Sequence, residues 1–237
     1  MPAANYYLLS ALPPIGEMGS DPPMTAAAFL EHVAPAGKCR AEAEAIFLGE
    51  DLRQREALLA GETDEAAPAV LSAAQLRDAE PLPGFLAAGG QDDGPAPGAL
   101  AVDAVWGAYF RRVSELARRS AFLAAWAAYE VGLRNALAVA RAKALDLDAQ
   151  RYLVEPQLGL PAEDFAGVLG EWSAAATPLA GLGVLDAARW RWLVAHDAWF
   201  SFADDELAAY AAKLMLLHRW KRIRQAAPDD ARRPVES

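Results

Sequence analysis

A long run without proline dominates the second half of this chain. Residues 100–145 contain no proline, and only Gly107 and Gly132 interrupt residues that favour helix. As one continuous helix the run would measure about 69 Å, at 1.5 Å per residue. This exceeds the usual length of a helix in a globular protein. The run therefore predicts either one long bent helix or two helices that meet near Ser120.

The composition extends the helical prediction to the whole chain. The 237 residues include 56 alanines and 31 leucines, whereas isoleucine, valine and threonine together number only 18. Alanine and leucine are the strongest helix formers, and β-branched residues are those that strands favour. We therefore expect an all-α fold, a bundle of long antiparallel helices. The one predicted exception is a short extended segment over residues 5–14 (NYYLLSALPP), which is apolar, aromatic and stopped by two prolines.

Capping residues and helix breakers predict where the other helices begin and end. The expected helices run from Thr25 to about 34, over 40–60 with Gly61 as the C-terminal cap, over 69–79, from Pro161 to Pro178, from Asp186, and from Ser201 with Asp204 to about 225. Apolar stripes at helical spacing give the expected core faces. Those stripes are Ala45, Leu48, Leu52 and Leu59; Trp106, Phe110, Val113 and Ala117; Phe122, Trp126, Tyr129, Leu133 and Leu137; Phe165, Val168, Leu169 and Trp172; and Leu207, Tyr210, Leu214 and Leu217.

Charge and tryptophan divide the chain into two regions of different character. Residues 1–98 carry 15 acidic and 5 basic side chains, whereas residues 99–237 carry 17 of each and all seven tryptophans. A glycine- and proline-rich stretch, residues 89–98, ends the first region and is typical of a loop. We therefore predict an acidic helical region (1–98) and a tryptophan-rich bundle (99–237), which could also pack as one domain. An acidic region repels phosphate groups, which argues against nucleic acid binding.

The sequence gives little support to a disulfide, a membrane span or a secreted form. Cys39 is the only cysteine, so neither an internal disulfide nor a cysteine-based zinc site can form. The longest uncharged stretches, 1–16 and 172–185, are short and broken by proline or glycine. The first also lacks the basic start of a signal peptide. We expect a soluble, cytoplasmic protein.

Catalytic motifs are equally scarce. His196 and Asp197 form a dipeptide that some metal-dependent phosphohydrolases use, but that chemistry needs more histidines than this chain offers. The acids at 204–206 are better explained by the dipole at a helix N-terminus. The chain has no phosphate-binding G-x-x-x-x-G-K-S/T loop and no G-x-S-x-G turn. The sequence therefore predicts no catalytic, cofactor or metal residue and no enzyme, although a cryptic carboxylate or metal site stays a third hypothesis.

Two groups of polar residues are candidates for binding a partner. Glu130, Arg134, Asn135 and Arg141 lie in a helix that is otherwise alanine, leucine and aromatic residues, and asparagine is a poor helix former. They form either a structural polar network across the bundle or a surface that receives a partner. In the last helix, residues 213–224 contain five basic side chains, including Arg219 and Arg222. The helix dipole explains some of them; an acidic partner or a membrane surface would explain the others.

Three motifs carry a resemblance to a known family. They are the N-terminal NYYLLSALPP, the central W-x-x-Y-E-x-x-L-R-N-x-L-x-x-x-R-A over residues 126–142, and the C-terminal Y-x-x-K-L-x-x-L-x-R-W over residues 210–220. Together they resemble a small bacterial family, long of unknown function, whose members stand in for the C-subunit in V-type ATP synthase operons.

The resemblance implies a rotor protein without catalytic residues. The C-subunit of these machines is all-helical, and its related lobes form a funnel. It sits on the rotor ring at the cytoplasmic face of the inner membrane and couples that ring to the central stalk for proton or sodium transport. Arg134, Asn135 and Arg141 would contact the stalk, with the last helix as a second candidate surface. The chain is shorter than the usual C-subunit, so the number of lobes stays open. The alternative is an unrelated helical adaptor that binds a single protein partner.

Overall fold

The computed structural model of this chain describes residues 5–87, 101–159, 164–198 and 200–226, without the side chains of Ala101 and Ala226. Within these residues the protein is all-helical and has no strand, which confirms the predicted fold class. The α-helices are α1 (Tyr6–Ser10), α2 (Ala26–His32), α3 (Gly37–Leu59), α4 (Ala73–Leu76), α5 (Ala101–Ala117), α6 (Ala121–Ala144), α7 (Ala166–Ser173), α8 (Pro178–Ala195) and α9 (Asp204–Ala226). Two short 3₁₀ helices, Ala149–Tyr152 and Pro156–Leu158, follow α6.

The proline-free run forms two helices rather than one. The chain leaves α5 at Ala117 and enters α6 at Ala121, and Ser120 between them has an extended backbone conformation. The Ser120 side chain accepts a hydrogen bond from the backbone N–H of Leu123 at 3.2 Å, as an N-cap does. The prediction of two helices meeting near Ser120 is confirmed. The apolar stripes of the two helices are buried except at Leu137, which is half-buried.

The prediction of an extended N-terminal segment is wrong for residues 6–10, which form α1. Contacts from distant parts of the chain stabilise this single turn. The His32 ring donates to the backbone carbonyl of Leu8 at 2.8 Å, and the rings of Tyr6 and Phe202 lie 5.2 Å apart. Five residues are too few for hydrophobic periodicity to distinguish a helical turn from an extended segment.

Two predicted helix starts also need correction. Asp186 does not cap a helix: α8 begins at Pro178, where Thr177 accepts the N–H of Ala180 at 3.1 Å, and Asp186 lies buried in mid-helix. Asp204 does not pair with Ser201 as a capping box. The Glu206 carboxylate instead accepts the N–H of Phe202 at 2.8 Å and the Ser201 hydroxyl at 3.4 Å. Local spacing suggests several possible caps, and side-chain reach in the folded chain selects among them.

The boundaries predicted for α2 and α3 are right. Thr25 caps α2, and Gly61 follows α3 with a φ of +71°, a conformation that favours glycine. The helix predicted over 69–79 is shorter, Ala73–Leu76, and so is that predicted from Pro161 to Pro178, Ala166–Ser173. Two predicted core faces are also wrong in part. Leu59 is half exposed at the end of α3, and the predicted core face of α7 is buried only at Phe165. Pro161 lies outside the described residues.

The chain divides into two compact units. The terminal unit contains Met1–Glu50 and Trp190–Ser237, and the central unit contains Asp51–Arg189. The boundaries fall within α3 and within α8. The predicted boundary between residues 98 and 99 lies outside the described residues, and the division into an acidic and a tryptophan-rich region stays a prediction.

In the terminal unit, segments from both ends of the chain pack against α9. The Tyr210 ring stacks on Phe29 with 5.3 Å between centroids, and its hydroxyl donates to the carbonyl of Pro13 at 2.8 Å. Asn5 donates to the Asp204 carboxylate at 2.6 Å, at the start of α9. The hydrogen bond of Tyr210 to Pro13 therefore brings the first and third sequence motifs into contact.

In the central unit, side chains of the helices hold the loops in place. The buried Asp51 carboxylate on α3 accepts the backbone N–H groups of Ala69, Val70 and Leu71 at 2.7–3.1 Å. Gly132 on α6 leaves room for the Phe165 ring, which would lie 2.9 Å from an added Cβ atom. Among the helices that the structure describes, none is long and apolar enough to span a membrane.

Candidate functional site

A cavity with a volume of about 710 Å³ lies in the central unit. Its walls come from the end of α3, the start of α5 and the second half of α6, with the chain after α6 at one edge. Five arginines and three carboxylates line it. Two of the arginines also pair with carboxylates outside the lining, Arg55 with Asp78 at 2.5 Å and Arg189 with Asp186 at 3.0 Å. We call this cavity the arginine groove. Its charged residues are Arg53, Arg55, Arg134, Arg141, Arg189, Glu56, Asp103 and Glu130.

An aromatic ring forms part of the groove wall. Trp106 on α5 is 2% exposed, and its indole N–H donates to the carboxylate of Glu56. The guanidinium carbons of Arg134 and Arg53 lie 4.7 Å and 5.4 Å from its ring centroid. Both distances are within the range of a cation–π interaction. The ring therefore holds two positive charges at the wall of the groove.

The deepest charges form a clamp that joins three helices. The carboxylate of Glu130 on α6 accepts two hydrogen bonds from Arg189 of α8, at 2.6 and 3.2 Å, and one from Arg53 of α3 at 2.5 Å. Arg189 also reaches Asp186 at 3.0 Å. The side chains of Glu130 and Arg189 are each 7% exposed. Buried charges of this kind are tolerated because each is paired and hydrogen-bonded. We call Arg53, Glu130 and Arg189 the Glu130 clamp.

Two arginines stand nearer the solvent, on one face of α6. Arg134 pairs with Asp103 at 3.1 Å and keeps 28% of its side chain exposed. Arg141 is exposed, and its guanidinium carbon lies 5.4 Å from the centroid of the Trp172 ring. Seven residues, about two helical turns, separate the two arginines, so their guanidinium groups point to the same side of α6.

Large apolar side chains border the groove although they remain exposed. Leu59, Val102, Leu145 and Leu147 are 50, 42, 68 and 47% exposed. They come from the end of α3, the start of α5 and the chain that leaves α6. A cluster of exposed large apolar residues next to a cavity is typical of a binding surface. We call these four residues the apolar rim.

The five predicted partner-binding residues belong to different units. Arg134 and Arg141 line the arginine groove, whereas Arg219 and Arg222 lie in the terminal unit, where both bind the Glu50 carboxylate. The Arg219 side chain is 7% exposed and the Arg222 side chain 26%.

Asn135 has a structural role in the central unit. Its side-chain amide donates to the carbonyl of Val154 and accepts the N–H of Val154, both at 2.9 Å. Val154 is buried, so these bonds satisfy a backbone pair that water does not reach. The sequence left two interpretations open for Asn135, a structural polar network or a partner-binding surface. These contacts match the first.

Sequence reasoning missed Arg53, Arg55 and Arg189, which reach the groove from other helices. No local pattern connects these residues to α6. Leu145 could have been found, because it continues the stripe of Arg134 and Arg141 at helical spacing.

The dipeptide His196–Asp197 is engaged in local contacts. The Nδ1 atom of His196 lies 2.8 Å from the carbonyl oxygen of Trp192, and Asp197 pairs with Lys213 at 2.7 Å. In the part of the chain that the structure describes, no three residues among His, Cys, Asp and Glu are placed to hold a metal ion.

A second polar cluster lies between α3 and the start of α9 in the terminal unit. The Asp204 carboxylate accepts hydrogen bonds from the Lys38 ammonium at 2.7 Å and from the Cys39 thiol at 3.4 Å. The bond from Lys38 lowers the pKa of the Asp204 carboxyl. Burial raises the pKa of the Cys39 thiol to about 12, with a further contribution from its bond to Asp204. A thiol with this pKa is protonated at neutral pH and is a poor nucleophile.

A smaller cavity of about 350 Å³ lies in the same unit, beside α1 and α9. Phe200 and Phe202 line it, and both have positive φ angles, of 59° and 51°. Such angles are rare for aromatic residues and cost about 1–3 kcal/mol each. The N–H groups of both residues bind Glu206, which holds the strained loop in place.

Comparison with known proteins adds no assignment: no protein-family model, curated protein or solved structure matches this chain.

Proposed function

We propose that this protein is a non-catalytic central-stalk component of a bacterial V-type ATP synthase. It would couple the central stalk to the membrane rotor ring, at the cytoplasmic face of the inner membrane, for proton or sodium transport. The proposal starts from the three motifs that resemble the C-subunit-like family.

The observation that carries the proposal is where the motif residues lie. Asn5 and Pro13 of the first motif bind Asp204 and Tyr210, next to and within the third motif. Glu130 of the central motif is the centre of the clamp between α3, α6 and α8. The motifs thus supply framework contacts, so a resemblance in these residues favours a shared fold over a chance surface likeness.

A coupling protein has to transmit force without deforming. Two buried ion clusters support that property, one in each unit: the Glu130 clamp, and Glu50 with Arg219 and Arg222. The Glu130 clamp joins α6 to α3 and α8, and the Glu50 cluster joins α3 to α9. Both use charge-assisted hydrogen bonds, which are among the stronger ones in proteins. The alanine-rich helices also allow close packing.

Within this proposal the arginine groove contacts the stalk, through Arg134 and Arg141. The basic end of α9, where Arg222 is partly exposed, is the second candidate surface. Asn135 and Arg219 would support these surfaces from inside the fold, because their side chains are held by Val154 and Glu50.

Affinity purification of the tagged chain from its native host tests the proposal. We expect the wild-type chain to recover stalk and rotor-ring subunits of the ATP synthase. Reversal of both Arg134 and Arg141 to glutamate should reduce that recovery at least tenfold while the circular dichroism spectrum stays helical. Arg118→Glu with Arg119→Glu is the matched control, since both arginines are exposed and lie outside the groove. Absence of every ATP synthase subunit from the wild-type sample would refute the function.

The alternative is a helical adaptor that binds one protein partner outside any ATP synthase. The arginine groove favours it to the same degree, because a cavity with exposed apolar and cationic residues suits many partners. The same purification separates the two functions. Recovery of one unrelated protein, lost on reversal of Arg134 and Arg141, would support the adaptor.

A further inference from the structure

We infer that the arginine groove receives an acidic amphipathic α-helix from a protein partner. This inference deepens the proposed function. Only the identity of the partner, a stalk subunit, rests on that function. Three observations carry the inference: the spacing of the groove residues on α6, the position of Arg134 and Arg141 near the solvent, and the apolar rim.

The spacing on α6 matches a helix lying along it. Beyond Glu130, six residues of α6 and its C-cap line the groove at positions i, i+3, i+4, i+7, i+8 and i+11, a single stripe of about three turns and about 16 Å. Leu137 and Ala138 lie between Arg134 and Arg141, and at Ala138 the stripe presents only a methyl group to a partner. Helices packed through small residues approach to about 8 Å between axes. The six are Arg134, Leu137, Ala138, Arg141, Ala142 and Leu145.

The charge in the groove selects an acidic partner. Arg134 is bound to Asp103 through one nitrogen, at 3.1 Å, and keeps donors for a second carboxylate. Arg141 is exposed and rests on the Trp172 ring. The two arginines are about 10 Å apart along the helix axis, so acidic residues two turns apart on a facing helix would meet both. Guanidinium groups bind carboxylates in a bidentate manner.

The apolar rim indicates that the ligand is amphipathic. A free phosphate or other small anion would pair with the arginines and leave the four rim side chains exposed to water. A helix with leucines on one face would cover Leu145 and Leu147 while its carboxylates reach Arg134 and Arg141. Helices bind grooves in this way, through apolar anchors at i, i+3, i+4 and i+7. The rim residues also line the groove, so a ligand long enough to cross it contacts them.

Fluorescence anisotropy with a defined peptide tests this inference on the full-length chain. The probe is a labelled 18-residue helical peptide with leucine at i, i+3, i+4, i+7 and i+11 and glutamate at most other positions. We expect the wild-type chain to bind it. The same peptide with lysine in place of glutamate should bind at least tenfold more weakly. Inorganic phosphate at 10 mM should not displace the probe, and dodecanoate serves as a small anionic amphiphile for comparison.

Two single variants place the binding in the groove. Arg141→Glu and Leu145→Glu should each weaken binding at least tenfold, the first by charge repulsion and the second by placing a carboxylate on the rim. Arg118→Glu and Leu179→Glu are their matched controls, because both residues are exposed and outside the groove. All four changes are at exposed positions, so circular dichroism and the thermal midpoint should match the wild type within a few degrees.

Three outcomes would overturn the inference: no binding of the acidic peptide, equal binding by Arg141→Glu and Leu145→Glu, or binding of dodecanoate without binding of the peptide. Peptide binding together with a purification that recovers no ATP synthase subunit would retain the groove and reject the stalk function. If Leu145→Glu recovers as many stalk subunits as the wild type, the stalk function is retained and the groove is rejected as the binding site.

Discussion

Glu42 shows how the position of one residue changes its chemistry. The side chain lies on α3 in the terminal unit and is 2% exposed, with Lys38 Nζ 3.6 Å from its Oε1 atom. Burial raises the pKa of the Glu42 carboxyl to about 7. Desolvation disfavours the charged form more than the single lysine favours it. From sequence, Lys38 and Glu42 would be taken for an ordinary surface pair at i, i+4.

This pKa predicts a pH-dependent stability. Between about pH 4.5 and pH 7 the unfolded chain has an ionised Glu42 whereas the folded chain keeps the proton, so the free energy of unfolding falls as the pH rises through this window. Each pKa unit corresponds to about 1.4 kcal/mol. We expect Glu42→Gln to match the wild type at pH 5 and to exceed it by up to about 3 kcal/mol at pH 8 in urea denaturation.

Glu44→Gln controls for the Glu42 measurement. Glu44 lies on the same helix and pairs with Arg40 at 2.7 Å, but both side chains are partly exposed. Such pairs contribute about 0–1 kcal/mol. A wild-type stability that does not fall between pH 5 and pH 8 relative to Glu42→Gln would contradict the burial argument.

At the scale of helices, ion clusters decide which elements are held together. The Glu130 clamp links α3, α6 and α8 in the central unit through one carboxylate and two arginines. Periodicity places Glu130 on an otherwise apolar helix, yet it says nothing about Arg53 and Arg189, which are 77 and 59 residues away along the chain. Only the packing of the helices decides whether such a residue is an exposed binding group or a buried clamp.

Neutralising the clamp should therefore destabilise the chain strongly. In Glu130→Gln the guanidinium groups of Arg53 and Arg189 lose the negative charge of Glu130, and Arg189 keeps only its bond to Asp186 among the carboxylates of the cluster. Removal of one partner from a buried ion pair costs about 3–5 kcal/mol. We expect urea denaturation to report a loss in that range.

The matched control for Glu130 is Glu115→Gln on α5, whose exposed carboxylate pairs with Arg112 at 2.9 Å. Its free energy of unfolding should change by less than about 1 kcal/mol. A similar small change in Glu130→Gln would mean that the clamp contributes specificity of packing rather than stability.

At the scale of the whole molecule, a groove lined by five arginines lies in a chain of net charge −10. The overall charge repels an acidic partner at long range, whereas the arginines attract it at contact. Above 0.1 M salt the screening length is about 10 Å or less, so only the local arginines count.

Binding of the acidic probe peptide should consequently weaken as salt rises. Between 0.1 and 0.5 M sodium chloride we expect the affinity of the wild-type chain to fall severalfold, because the salt screens the contacts of Arg134 and Arg141. Arg141→Glu should show a smaller dependence. An affinity independent of salt would mean that the apolar rim alone holds the peptide. Anisotropy titrations at four salt concentrations are sufficient for this measurement.

The sequence by itself determined the all-helical class, the cap at Thr25 and most of the apolar stripes, and it predicted two helices meeting near Ser120 as one of two alternatives. These features depend on residues within a few positions of each other, and local propensity and periodicity report them. It also identified Arg134 and Arg141 as unusual in an apolar helix. Tertiary structure decided the helical turn of residues 6–10, the structural role of Asn135 and the inclusion of Arg53 and Arg189 in the groove. Those features depend on contacts between residues far apart in the chain, for which a single sequence carries no local signal.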